Sequence, residues 1–233
     1  PTPTATVTPT PTLTVTPTLT PTPTPTATTP PNLIAVYGST TVDGLSNEFV
    51  GGASLTLTSI IGRPNSIGTY ACRWNETALA CVGGLQDSQV SAVQTETGLE
   101  TDDSMEIQID VNHSRDASVG ADDYRILVNA MNVVESYLQT TPATLTGLTS
   151  AVTTTNTGYG VELRVPWSAL GATPASGLVL GFNITLNDRM TGGSSDRVAW
   201  SGTPGGVPNM WGTLTLGDIP AGARGGSVSG GNW

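Results

Sequence analysis

Met105-Glu106-Ile107-Gln108-Ile109-Asp110-Val111 alternates apolar and polar side chains without a break. A period of two marks a β-strand, whose successive side chains point to opposite faces. The odd positions read as a core face, and Glu106, Gln108 and Asp110 as a row on a wetted sheet surface. Tyr159-Gly160-Val161-Glu162-Leu163-Arg164-Val165 repeats the pattern and places Glu162 and Arg164 outside. Beyond these two runs, short β-prone stretches separated by Gly, Asn, Asp and Ser occupy 33–37, 54–61, 68–74, 78–82, 124–129, 133–138, 178–186, 197–200 and 211–216. Strands at this spacing, with no long amphipathic helix, predict an all-β domain, an antiparallel β-sandwich of jelly-roll or immunoglobulin-like kind. Pro166-Trp167-Ser168-Ala169-Leu170 reads as a one-turn helix capping the sandwich, since proline is permitted at a helix start.

An extended Thr/Pro-rich tail, residues 1–32, precedes the sandwich of residues 33–217, and a Gly-rich segment, 218–233, follows it. In the tail Thr2, Thr4, Thr6, Thr8, Thr10, Thr12, Thr14, Thr16, Thr18, Thr20, Thr22, Thr24, Thr26 and Thr28 alternate with Pro, Ala, Val or Leu. Prolines this dense exclude a helix or an inner strand, because each lacks an amide donor and fixes its own φ. An extended ribbon then carries the threonines on one edge, as O-glycosylation sites, and Val7, Leu13, Val15 and Leu19 on the other. Such tracts usually serve as stiff extracellular spacers, with a reach here of about 100 Å in polyproline II form. A sharper reading uses Thr12-Leu13-Thr14-Val15-Thr16, which is proline-free and suited to adding as a strand to the sheet edge of a neighbouring copy.

Composition narrows the function classes. The chain has 233 residues and a net charge of -10, with eight basic residues that are all arginine. That balance argues against a nucleic-acid partner, which needs a basic stripe. No apolar run approaches the ~18 residues of a membrane span, and any export signal is expected to have been removed already. A turn at Glu76-Thr77 would set Cys72 and Cys81 opposite each other; a cross-hairpin disulfide is expected, the alternative being two reduced buried thiols. The whole suggests a secreted, extracellular or cell-surface protein.

Several pieces in order resemble the family 9 carbohydrate-binding modules. They are Val42-Asp43-Gly44, Trp74 to Leu79, Gln86-Asp87, Asp103-Ser104-Met105-Glu106-Ile107-Gln108-Ile109-Asp110, Gly158-Tyr159 to Glu162, Val165-Pro166-Trp167, Gly181-Phe182-Asn183 to Asn187-Asp188, Trp200 and Trp211-Gly212. The resemblance covers about residues 33 to 217. It implies a non-catalytic, calcium-stabilised β-sandwich attached to secreted polysaccharide-degrading enzymes, with a sugar clamped between two tryptophans. It also implies calcium ligands at Asp87, Asp188 and Asp103, with Asp102 and the Asp122-Asp123 pair as further oxygens; simple surface acidity is the alternative. Glu106 matches a sugar-facing polar position.

The clamp itself departs from the pattern. Leu99-Glu100-Thr101-Asp102 stands where the first tryptophan is expected, and Gly202 to Pro208 offers no ring for the second. Trp74, Trp167, Trp200 and Trp211 read as core residues. Catalysis is not expected: His113 sits in a polar turn, and Glu106 and Asp110 on one strand face stand about 13 Å apart, too wide and open for a glycosidase pair. Asn75, Asn112 and Asn183 each begin an N-glycosylation triplet, a pattern of little weight in a Thr-rich chain.

Two functions follow. The first is a structural subunit of an extracellular filament or assembly, with copies of itself as partners through the tail. The second is a carbohydrate-binding module attaching a secreted protein to polysaccharide through a glycosylated linker.

Overall fold

The computed structural model describes residue 1 and residues 31–49, 55–58 (backbone alone), 67–202 and 205–223. The tail threonines, the assembly contacts Val7, Leu13, Val15 and Leu19, and the end of the Gly-rich segment lie outside the described residues.

Among the described residues, thirteen strands form a curled sheet folded into two layers. They are β1 (Asn32–Tyr37), β2 (Leu55–Thr58), β3 (Ile67–Trp74), β4 (Ala78–Gln86), β5 (Ser104–Asp110), β6 (Asp123–Asn129), β7 (Val134–Leu138), β8 (Thr141–Pro142), β9 (Thr149–Thr155), β10 (Gly158–Pro166), β11 (Val179–Arg189), β12 (Ser195–Ala199) and β13 (Gly212–Leu216). The strand order is β8-β7-β6-β5-β11-β13-β1-β3-β4-β10-β9, with β12 beside β11 and β2 beside β3. Pairing is antiparallel except at β1, a correction to the expected sheet. Asn32 to Ala35 run parallel to β13, and Val36 and Tyr37 run parallel to β3. The first strand thus belongs to both layers and joins them.

The expected one-turn helix is α1 (Trp167–Leu170), with Pro166 at its N-cap and Gly171 in the left-handed region closing it. β8 and β9 are absent from the expected strands. Thr149-Ser150-Ala151-Val152-Thr153-Thr154-Thr155 has one large apolar residue, so no alternation marks it; its pairing with β10 does.

Between the layers lie Leu33, Trp74, Leu79, Met105, Ile107, Ile109, Ile126, Val161, Leu163, Phe182, Ile184 and Leu214, all nearly free of solvent. The odd positions of 105–109 do face this core. Gly83 lets the layers approach, since a Cβ there would meet Met105 Sδ at 2.7 Å and Leu186 at 3.1 Å. Tyr159 crosses the gap and sets its hydroxyl between the carbonyls of Ser104 (2.8 Å) and Asn187 (2.6 Å), which share its single proton. Trp74, Trp167 and Trp211 are buried as expected, and Trp200 packs against the same core through Tyr70 and Phe182.

The β3–β4 turn at Asn75–Thr77 is held by Asn75 Oδ1, which accepts from the Thr77 and Ala78 amides. It sets Cys72 directly across from Cys81, and the two form the expected disulfide.

Candidate functional site

The even positions of β5 are not wet. Glu106 and Asp110 have no exposed surface and Gln108 is 3% exposed, which overturns the expected wetted row. The reason is a covering of long polar side chains on the outer face of this layer. Cross-strand pairing lines up Glu106 with Leu127 and Thr185, and Gln108 with Arg125 and Asn183. Arg125 then lies over Glu106, donating Nε to Oε1 at 2.9 Å and Nη2 to Oε2 at 3.1 Å. A bidentate, charge-assisted pair of this kind is among the stronger polar contacts a protein makes.

Around the pair the network continues. Glu100 Oε2 stands 3.6 Å from Arg125 Nη2. The Arg125 guanidinium sits 5.8 Å from the centroid of the Tyr137 ring, a cation–π distance. The Tyr137 hydroxyl donates to Glu135, which holds its pKa up at about 12. Burial works against the Arg125 charge, yet the Glu106 hydrogen bond and the surrounding carboxylates raise its pKa above the ordinary guanidinium value. Asn183 Nδ2 donates to Gln108 Oε1 at 3.0 Å, and Thr185 Oγ1, buried beside Glu106, has no hydrogen-bond partner in the protein.

The position expected to lack the first clamp tryptophan is a rigid 3-10 turn, Leu99–Thr101. Glu135 accepts from the Leu99 amide, Ser104 Oγ donates to the Leu99 carbonyl, Arg197 donates to the Glu100 carbonyl and Arg189 to the Thr101 carbonyl. Leu99 is buried, so Glu100 rather than a ring faces Arg125. Of the second clamp segment, residues 203 and 204 lie outside the described residues.

Two carboxylate groups form at the two ends of β5, beyond the Glu106–Arg125 pair. Asp87, Asp103 and Asp188 are all buried and offer oxygens within 4.8 Å of one another. Asp103 accepts from the Arg189 amide and from the Ser91 amide. Burial, with the Asp87 and Asp188 charges beside it, lifts its carboxyl to about 7 despite those amides. Three converging oxygen donors in a buried site fit a hard divalent cation. Asp102 is not among them: it accepts from the Val93 and Gln94 amides and from Asn129, so its role is to tie the loop before β5. Asp122 and Asp123 join Asp110 in the second group instead. Gly181 makes room there, because a Cβ would come within 2.8 Å of Asp110. Asp123, raised to about 6 chiefly by burial, keeps Oδ1 buried without a hydrogen bond.

Glu162, expected to be exposed, has no exposed surface; its Oε2 accepts from the Asp43 (2.9 Å) and Gly44 (3.2 Å) amides and pins the Val42-Asp43-Gly44 turn onto β10. Burial raises its pKa, the two amides opposing. Arg164 is half-buried and donates to Thr77. Asn183 is buried, which rules it out as a glycan acceptor in the folded chain. His113 lies in the loop after β5 with Arg115 Nη1 and Thr213 Oγ1 each 3.5 Å from its Nε2. A groove of about 580 Å³ on the outer face of the second layer, lined by Thr69, Val82, Gly84, Thr155 and Gly160, has no charged side chain among the described residues lining it. A smaller one, about 450 Å³, opens beside Glu135 and Tyr137.

Sequence reasoning identified Glu106 but missed Arg125, Gln108 as a site residue, Glu135 and Tyr137. Their strands were expected; the pairing of β5 with β6, which sets Arg125 beside Glu106, has no local signal.

Comparison with known proteins agrees with this architecture. Two solved structures of a carbohydrate-binding module family 9 protein from Caldicellulosiruptor kristjanssonii, in complex with cellotriose and with glucose, superpose with TM-scores of 0.71 each. They are 20% and 19% identical, covering 83% and 82% of this chain and 97% and 98% of theirs. Endo-1,4-beta-xylanase A of Thermoanaerobacterium saccharolyticum is 27% identical over 197 residues, and exoglucanase XynX of Acetivibrio thermocellus is 27% identical over 203 residues. The matches take in 81% and 84% of this chain but only 16% and 18% of those enzymes. Residues 42–219 match the family described as "Carbohydrate family 9 binding domain-like", and the chain belongs to that family of carbohydrate-binding modules.

Proposed function

We propose that this chain is a non-catalytic module that holds a saccharide on the outer face of the β5–β6–β11 layer, around the Glu106–Arg125 pair. The observation that carries the reading is that pair: a buried carboxylate whose guanidinium partner, 29% exposed, presents donors to an approaching ligand. Sugar hydroxyls are recognised by such charge-assisted donors and acceptors. Gln108 and Thr185, the latter with an unpartnered hydroxyl, supply neutral groups beside it. The cellotriose and glucose complexes of the family 9 neighbours support a glucose-containing oligosaccharide as the first ligand to try.

Without two flanking rings the affinity falls to about millimolar, or about 4 kcal/mol of binding free energy. Affinity electrophoresis in soluble glucan and xylan tests this: retardation lost in Glu106→Ala and Arg125→Ala supports the site, and equal mobility of all three proteins in every polysaccharide refutes it. Calcium at Asp87, Asp103 and Asp188 has a structural part in this reading. It would neutralise three buried carboxylates and lock the loop after β4 to the start of β5 and the end of β11. A secreted, extracellular setting, supported by the family and the disulfide, completes it.

A further inference from the structure

The two ends of the strand order are protected unequally. β8 is two residues long and ends in Pro142, which blunts that edge. β9 runs seven residues, Thr149–Thr155, without proline or charge, and among the described residues pairs only with β10. Asn132 donates to the Ser150 carbonyl at 3.4 Å, at the first turn of this edge. An unblocked edge strand leaves every other N–H and C=O pointing outward and is a ready template for another chain.

The identity of that chain is argued from charge and pattern. β9 lies in residues 136–161, a run with no Asp, Glu, Lys, Arg or His, and only residues 1–42 form a longer one. In a chain of net charge -10, these are the two stretches that can meet without setting carboxylates against each other. Their side chains also match. On β9 Val152 turns toward the core and packs against it, while Ala151 and Thr153 share the opposite face with Glu162 and Gly160 of β10. Thr12-Leu13-Thr14-Val15-Thr16, bounded by Pro11 and Pro17, alternates in sequence so that, added as a strand, it would set Leu13 and Val15 on one face and threonines on the other. Laid beside β9, it extends the apolar row from Val152 and the small polar row from Thr153.

We propose that β9 accepts Thr12–Thr16 of a second copy as an added strand. A neighbour's tail is favoured over the chain's own by stiffness. Residues 17–31 carry six prolines, and a polyproline II spacer of 15 residues spans about 45 Å. β1, where the spacer enters the fold, is four strand positions from β9, about 19 Å. Held at that extension, such a spacer would carry Thr12–Thr16 past its own edge and within reach of another. Such a contact joins two different surfaces, the tail of one copy and the β9 edge of the other. It does not depend on saccharide binding.

The test uses the full chain. The described residues hold no free cysteine and Cys72 and Cys81 are paired, so Thr14→Cys gives one site for a nitroxide label. Spin-labelled protein is mixed with an isotope-labelled, unlabelled-tail copy, and amide broadening is read in the second copy. Broadening centred on Val152 and Thr154, abolished by Thr154→Lys or Val15→Pro while Tm stays unchanged, supports the proposal. Broadening centred on another strand, absent at all concentrations, or indifferent to Thr154→Lys overturns it.

Discussion

Removing Arg125 leaves the Glu106 carboxylate, which has no exposed surface, without its bidentate partner. Breaking a buried pair from one side typically costs 3–5 kcal/mol; with Arg125 partly exposed, Arg125→Ala is expected to cost about 3 kcal/mol in urea denaturation. The double variant Glu106→Gln with Arg125→Met should recover most of that stability and still fail to bind saccharide, which separates binding from folding. A second residue prediction concerns pH. The Asp103 carboxyl stands at about 7 in the fold against an ordinary 3.8. A raised acid favours the fold fully below its unfolded value, and the benefit is lost as pH rises through the folded value. In chelator, wild type should therefore lose Tm relative to Asp103→Asn between about pH 4 and about pH 7, and calcium should remove the difference. Parallel pH profiles in chelator would contradict the assignment. The alternation at 105–111 gave the strand and its core face correctly; what it could not convey is that an outward face can be carpeted by an arginine from 19 residues away rather than by water.

At the scale of elements, the β3–β4 hairpin is the most legible piece. A nine-residue separation, an Asn-containing turn and apolar flanks were enough to place Cys72 opposite Cys81, and the register is as expected. Closing a loop of that length is worth about 2–3 kcal/mol through the unfolded chain, so Cys72→Ala with Cys81→Ala should lower stability by about that amount while the hairpin keeps its register by hydrogen exchange. β1 was legible as a strand but not as a bridge, because parallel pairing with β13 joins residues 181 positions apart, such as Asn32 and Thr213. Its two half-pairings depend on where the sheet curls, which no local run encodes. β9 was not legible at all: Thr-rich and nearly without large apolar side chains, it is defined by β10 alone.

For the whole molecule, the sequence motifs located the family, and the two carboxylate clusters sit at the two ends of β5, on either side of the Glu106–Arg125 pair. The triad Asp87, Asp103 and Asp188 was named together only through the family resemblance; the union of Asp110 with Asp122 and Asp123 needs the β5–β6 register. The fold thus carries the proposed saccharide site at mid-β5, the two carboxylate clusters at that strand's ends, and the β9 edge at the end of the strand order. The saccharide face is the claim on which the functional account rests. Its most direct test is titration of the isotope-labelled full chain with cellotriose, read at side-chain and backbone resonances. Shifts confined to Arg125 Nε, Gln108, Glu106 and Thr185, absent in Arg125→Ala, are predicted; shifts gathered instead in the groove lined by Thr69, Val82 and Gly160, or no shifts with any glucan or xylan oligosaccharide, would contradict it.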